Sequence, residues 1–347
     1  MATAHSSDIP GRRAELASGS DPGLLIVILN YRTADLTIAC LRSLAAQVVS
    51  VPGVEVVVTD NASGDGSAER ISAAIRDEGM SNWARCDALP LNGGYAYGNN
   101  APIRRALARP NPPAFVLLLN PDTELRPYAV TALVEFMRAH SDCGIAGSRL
   151  EDPDGTPQCS AFNFPSAWSE LDRGLQLGLV TRLLGDRVVQ RAIADEACEV
   201  DWVAGASMLV RSEVFERVGL IDEAYFLYFE EVDFLLRAKR AGYRTYYVPQ
   251  SRVVHHVGAS TGVTNEKRPP NRIPNYWFDS RRRYFLKNHG LVHAVLADSA
   301  FLTGYALQRV RRMAQPKPTR DPPHLVTDYL RNTVLLRGSA VAPARTR

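Results

Sequence analysis

Three apolar runs constrain this chain more than anything else in it. Leu24 to Asn30 (LLIVILN), Val54 to Asp60 (VEVVVTD) and residues 114–120 (AFVLLLN) have strand length and little or no polar alternation. A strand that is apolar on both faces needs cover on both faces, as in a parallel sheet enclosed by helices. The segments between them have helical spacing. Residues 33–47 carry Leu36, Cys40, Leu41 and Leu44 three to four apart, and residues 65–78 read as a helix capped by Asp65. Residues 95–108 form a third helix candidate, and Pro127 opens a fourth that runs to His140. Strands alternating with helices predict an α/β fold with a mostly parallel central sheet.

Each of the three strands ends in polar residues: Asn30, Asp60-Asn61 and Asn120-Pro121-Asp122. In open α/β sheets, ligands bind at the carboxyl ends of strands, so these three ends point to one site. The turn Asn92-Gly93-Gly94 before residues 95–108 adds backbone that a ligand can approach closely. The second half is more mixed. It reads as loop-rich from 150 to 200 with a helix near 171–184, a strand at 202–210 and a short helix at 212–218. A helix follows at 230–241, a strand at 243–248, and helices at 278–289 and 292–310.

Composition narrows the function classes. Among 347 residues, 40 Lys+Arg stand against 37 Asp+Glu, which argues against a dedicated nucleic-acid binder. No apolar stretch approaches the ~20 residues a membrane span needs, and residues 1–22 read as a flexible tail without a secretory apolar core. The five cysteines are scattered with no Cys-x-x-Cys, as expected in a reducing compartment.

Four constellations have chemical potential, each beside a plainer reading. Asp122, on a turn after a buried strand, suits a Mg²⁺ or Mn²⁺ ligand or a simple helix cap. Asp60 to Ser67 suits base or ribose contacts, or only its own loop. The run Phe226-Leu227-Tyr228-Phe229 precedes Glu230, Glu231 and Asp233; these acids can complement a helix dipole, or one can act as a general base in an apolar setting. In strand geometry His255 and His256 face opposite ways, so at most one joins Asp122. Arg281-Arg282-Arg283 can meet a diphosphate or an anionic head group, or be a solvated face.

VILNYR, VVVTDNASGDGS, LNGGYAYGNN, LLLNPDTEL, VAGASMLVR, FLYFEEVDFLLRAKRAGY and VVHHVGAS occur in this order. The set resembles the inverting family-2 glycosyltransferases of the GT-A fold, in particular a bacterial rhamnosyltransferase-like subgroup, from about Leu24 to Gly290. The resemblance implies a nucleotide-sugar donor, a divalent metal (Mg²⁺ or Mn²⁺) and one displacement with inversion. It implies that Asn30, Tyr31, Asp60 and Asn61 lie by the nucleotide, and that Asn92, Gly98 and Asn99 line the nucleotide and sugar pocket. Asn120 and Asp122 take the family's Asp-x-Asp place, with Asp122 and His255 on the metal. Trp202, Gly205 and Ala206 shape the acceptor edge of the donor pocket; from the basic stretch itself, Arg281 is expected at the nucleotide-sugar diphosphate. Glu231 becomes the catalytic base, with Asp233 and Glu230 as alternates.

The implied donor is dTDP-L-rhamnose, with UDP- and GDP-sugars as alternatives. The acceptor is a glycan or a lipid-linked saccharide in polysaccharide or cell-wall assembly. A nucleotidyltransferase or epimerase, and a carbohydrate-binding scaffold, are the rival classes; the lack of Gly-x-Gly-x-x-Gly after the first strand argues against a dinucleotide cofactor. The expected organisation is a tail at 1–22, a GT-A domain at 23–290 divided near 150, and a helical extension at 291–347. That extension either packs on its own domain or rests on an anionic bilayer, which places the chain in the cytoplasm or at the membrane's inner face. The oligomeric state stays open, a dimer included. Acceptor contacts are expected from 150–200 and 263–280, and a closing loop from 258–262.

Overall fold

The computed structural model describes residues 23–51, 53–256, 271–314 and 321–340. The expected tail at 1–22, closing loop at 258–262 and segment 263–270 lie outside these residues.

The first half follows the apolar runs. β1 (Leu24–Asn30), α1 (Ala34–Val48), β2 (Val54–Asp60), α2 (Ser67–Asp77), β3 (Ala84–Ala88), α3 (Tyr95–Leu107) and β4 (Phe115–Leu119) alternate as predicted. β5 (Thr123–Leu125), α4 (Ala129–Ala139), β6 (Cys143–Glu151) and β7 (Ala161–Phe162) follow. The expected helix at 171–184 is two: α5 (Ala167–Leu175) and α6 (Gly178–Leu184), separated at Gln176, whose φ is 48°. The expected strand at 202–210 also divides, after β8 (Cys198–Val200), into β9 (Trp202–Val203) and β10 (Ser207–Arg211). α7 (Ser212–Val218), α8 (Glu230–Arg240) and β11 (Arg244–His255) complete the sheet region. α9 (Asn275–Ala314) breaks its helical path at Gly290, and α10 (Leu325–Arg331) and α11 (Val334–Arg337) close the described chain.

The nine-stranded sheet has the order β3-β2-β1-β4-β10-β6-β11-β5, with β8 also on β11. β3, β2, β1 and β4 are parallel, and β6 and β11 share their direction; β10, β5 and β8 run against them. The sheet is thus mostly parallel. Side chains of β1 alternate between two cores. Leu24, Ile26 and Ile28 face Cys40, Leu41 and Leu44 of α1, whereas Leu25 and Val27 face Ile103 of α3 and Phe234 and Leu235 of α8. This two-sided burial, worth ~1.5–3 kcal/mol per large apolar side chain, explains the lack of alternation in β1.

Two expectations need correction. Pro127 does not open α4, because Tyr128 intervenes in a left-handed conformation (φ 67°). Asp65 lies one residue before the cap of α2, which is Gly66, its carboxylate accepting from the Ser67 N–H and hydroxyl. A third concerns length: an 18-residue window of α9 is apolar and long enough to cross a membrane, though only 33% of it is buried. The residues past Gly290 also pack on α5, where Gly174 and Gly304 touch: a Cβ on Gly304 would stand 2.5 Å from the Leu171 carbonyl oxygen.

Candidate active site

The carboxyl ends of β1, β2 and β4 meet as expected, and the residues there divide into supports and walls. Asn30 and Asp60 are supports. The Asn30 amide donates to Asp60 Oδ1 (2.6 Å) and Ser63 Oγ (3.2 Å), and its carbonyl accepts from the hydroxyls of Thr33 and Thr37. Asp60 accepts further from the Ser63 hydroxyl and N–H. Both are buried, so they brace the loop that carries the site.

The walls enclose a cavity of about 400 Å³ lined by Tyr31, Thr33, Asn61, Asn92, Asn120 and Pro121 on the sheet side. Tyr95, Phe226, Leu227 and Tyr276 close it. Asn61 donates to Asn92 Oδ1 (2.9 Å) and the Gly94 carbonyl (3.1 Å), while its own Oδ1 has no partner among the described residues. An unsatisfied buried acceptor on a cavity wall is suited to a ligand donor such as a base N–H. Gly94 has φ 89°, and a Cβ there would stand 2.0 Å from the Phe226 carbonyl oxygen, to which the Tyr95 N–H donates (2.9 Å). Gly98 lies behind the cavity against Leu29, and Asn99 turns to the Tyr95 carbonyl; neither lines it.

Beside this cavity, β5 pairs with the end of β11, with His255 opposite Thr123. His255 Nε2 lies 3.6 Å from Asp122 Oδ1, whereas His256 bonds Glu124 (2.9 Å). The strand alternation therefore selects His255. Burial lowers the His255 pKa against the pull of Asp122, which favours the neutral imidazole a metal takes. Among the described residues no three His, Cys, Asp or Glu side chains form a closed metal site. One carboxylate and one imidazole instead fit an open site that ligand oxygens complete, the usual arrangement for a hard cation on phosphates.

A second, larger cavity of about 790 Å³ lies against the far side of the 226–231 segment. Its walls include Phe162, Arg173, Trp202, Tyr228, Trp277 and Glu231. Trp202 stacks on Phe162 with centroids 4.1 Å apart, and its indole N–H donates to the Asn163 carbonyl (3.0 Å). Gly205 and Ala206 act through backbone: the Gly205 carbonyl accepts from the Tyr95 hydroxyl (2.8 Å) and that of Ala206 from the Asn120 N–H (3.0 Å).

The acids at the start of α8 have separate positions. Burial, then the charge of Glu231, pushes the Glu230 pKa well up, and burial raises that of Glu231. One oxygen of each, Oε2, has no hydrogen-bond partner among the described residues. Glu231 reaches a cavity wall and Glu230 does not. Asp233 is fully committed: it accepts from Tyr225, Asn288, Arg237 and Lys287. It is therefore an anchor for α8 rather than an available base.

Arg281 also departs from expectation. It is buried between Glu170 (2.8 Å), which lines the larger cavity, and Asp298 (2.6 Å), and itself lines neither cavity, because its guanidinium offsets two buried carboxylates. Arg282 caps the carbonyls of Gly338 and Ala340, and Arg283 pairs with Asp222 (2.6 Å). Tyr95 and Tyr276 were missed. Tyr95 adjoins the Gly-rich turn, a usable signal; Tyr276 comes from the distant start of α9, and its sequence carries none.

Residues 22–270 match the model of a family described as "Glycosyltransferase like family 2". The chain is 30% identical over 224 residues to the N-acetylglucosaminyl-diphospho-decaprenol L-rhamnosyltransferase of Mycobacterium tuberculosis, covering 60% of this chain and 68% of that one. It is 29% identical over 176 residues to rhamnosyltransferase WbbL of Escherichia coli, covering 48% and 63%. The fold is similar to that of mannosyltransferase PcManGT from Pyrobaculum calidifontis, solved with GDP-Man and Mn²⁺ (TM-score 0.54, 15% identity, 94% of this chain and 87% of that one). With a sheet whose strand ends carry one cavity and an α8 acid facing a second, this chain belongs to the family-2 glycosyltransferases, in their rhamnosyltransferase-like subgroup.

Proposed function

We propose that this glycosyltransferase moves L-rhamnose from dTDP-L-rhamnose to a hydroxyl of a diphospholipid-linked saccharide, with inversion. The observation that carries the mechanism is Glu231: an acid of raised pKa on the wall of the large cavity, two residues past the aromatic segment that bounds the smaller one. The smaller cavity takes the nucleotide, with Asn61 and Asn92 at the base and Tyr31 and Tyr276 as flanking rings. The larger takes the acceptor, whose sugar faces stack on Trp202 and Trp277. The donor sugar and lipid-linked acceptor are inferred from the relatives' names, the M. tuberculosis enzyme above all.

Glu231 accepts the proton of the acceptor hydroxyl as that oxygen bonds to the anomeric carbon. The bond from the anomeric carbon to the diphosphate oxygen breaks, and the nucleoside diphosphate leaves with the electron pair. Asp122 and His255 would hold Mg²⁺ or Mn²⁺, whose charge offsets that of the diphosphate. Burial raises the pKa of both Glu230 and Glu231, and of the two only Glu231 reaches the cavity wall where the proton is taken.

Turnover of a panel of dTDP-, UDP- and GDP-sugars, read by mass spectrometry, tests the donor; sole use of a UDP- or GDP-sugar would refute it. Glu231→Gln should lower kcat at least ~100-fold, the range for losing a general base, with nucleotide affinity kept. A variant with wild-type turnover removes Glu231 from the mechanism.

A further inference from the structure

The part of α9 after Gly290 has two unlike faces. Ala294, Ala297, Phe301, Gly304, Tyr305 and Gln308 are buried, and Gly304 lies on Gly174 of α5. The opposite face presents Val292, Leu296, Thr303, Leu307, Val310 and Met313 to the outside, three to seven residues apart on one stripe with no charged side chain. A solvated helix face normally carries charge. This one does not, over the stretch that contains the membrane-length apolar window.

A second exposed apolar pair lies on α6, near the end of α9. Arg311 and Arg312, in the last turn of α9, donate to the Gln176 carbonyl and side chain at the α5–α6 junction. From there Leu179 and Leu183, one turn apart on α6, project outward and are 65% and 78% exposed. Gln176 and Thr181 of the same junction line the 790 Å³ cavity. The α6 pair therefore borders the cavity that holds Glu231.

Charge selects the occupant. In segments 178–187 and 291–314 the exposed charges are Arg182, Arg187 and Arg309 against Asp186; Arg311 and Arg312 are committed to Gln176, and Arg312 also to Asp321. Leucines and valines bordered by arginine suit an anionic bilayer surface, with the side chains in the acyl boundary and guanidiniums at the phosphates.

We infer that α6 and the outer face of α9 form an in-plane membrane-docking surface that sets the large cavity at the level of the lipid head groups. Its use in admitting a lipid-linked acceptor rests on the function proposed above; the docking itself does not. Burial of the other face of α9 against α5 keeps the helix in the interface plane rather than across the bilayer.

Co-sedimentation of the full chain with phosphatidylglycerol–phosphatidylcholine vesicles, and with phosphatidylcholine alone, tests this without donor or acceptor. Binding should need the anionic lipid and weaken with salt. The double variant Leu307→Glu with Val310→Glu, and separately Leu183→Glu, should cut partitioning at least ~10-fold. All three positions are exposed and none lines either cavity, so turnover on a water-soluble short-chain acceptor should be unchanged. Wild-type failure to bind, undiminished binding by both variants, or release only by detergent would overturn the proposal. So would variants that convert a dimer to a monomer with no change on vesicles. Vesicle binding without turnover on the soluble acceptor would sink the acceptor reading and leave the docking surface standing.

Discussion

Glu230 and Glu231 adjoin in sequence, yet burial gives them different work. The first is enclosed, the second stands on a cavity wall, and burial raises both. A base must be ionised to act, so activity falls as pH drops through the Glu231 pKa, which lies above the ordinary carboxylate value of about 4.3. The acid limb of kcat/KM should therefore lie clearly above that value; a limb at or below it would contradict the assignment. The identity of these acids was legible because an aromatic run precedes three carboxylates. The resemblance put Glu231 first, but the run itself left Asp233 open, since sequence does not show that Tyr225, Asn288, Arg237 and Lys287 converge on Asp233. Asn30 is similar: its position at a strand end was readable, but its use as a brace for Asp60 depends on Ser63 and Thr37 folding back onto it.

At the scale of elements, β1, β2 and β4 and their helices were readable because one physical rule, two-sided burial, writes itself as an unbroken apolar run. β3, β5 and β8 were missed because they are short and partly polar: Ala-Arg-Cys-Asp-Ala has no period to detect. The break between β9 and β10 was hidden because small residues suit both strand and turn, and only contact with Tyr95 and Asn120 decides it. The start of α3 allows a sharp test. Gly94→Ala forces a side chain into left-handed backbone and into the Phe226 carbonyl, a combined cost of about 2 kcal/mol or more. Nucleotide affinity by calorimetry should drop, together with the melting temperature, while a fold-preserving change at the exposed Leu296 should alter neither. An unaffected Gly94→Ala would mean that α3 is not held by the 226 segment.

For the whole molecule, the far C-terminal half of α9 belongs to the same body as the active site. Arg281 binds Glu170 of α5 and Asp298 of α9, and Tyr329 of α10 donates to Glu170 (2.7 Å). Burial would raise the Glu170 pKa, but Arg173 and Arg281 hold it at about 2. Removing one partner strands the others: Arg281→Ala should cost about 3–5 kcal/mol in denaturant unfolding, with nucleotide affinity of the folded protein unchanged. Lost nucleotide affinity without lost stability would return Arg281 to the donor site. A run of three arginines cannot reveal this, because exposed and buried guanidiniums have the same letter, and only the carboxylates brought from elsewhere separate them.

Tyr228 and Phe229 are consecutive non-glycine residues in left-handed backbone, with φ 71° and 67°. They sit where one short ribbon changes sides, from Phe226 and Leu227 on the first cavity to Tyr228 and Glu231 on the second. The two chambers therefore share a wall only a few residues long and already under conformational load. An attempt to retool this enzyme for a new acceptor by exchanging that ribbon would carry donor preference along with it. Diversification is easier at Phe162 and Trp202, which touch the larger chamber alone.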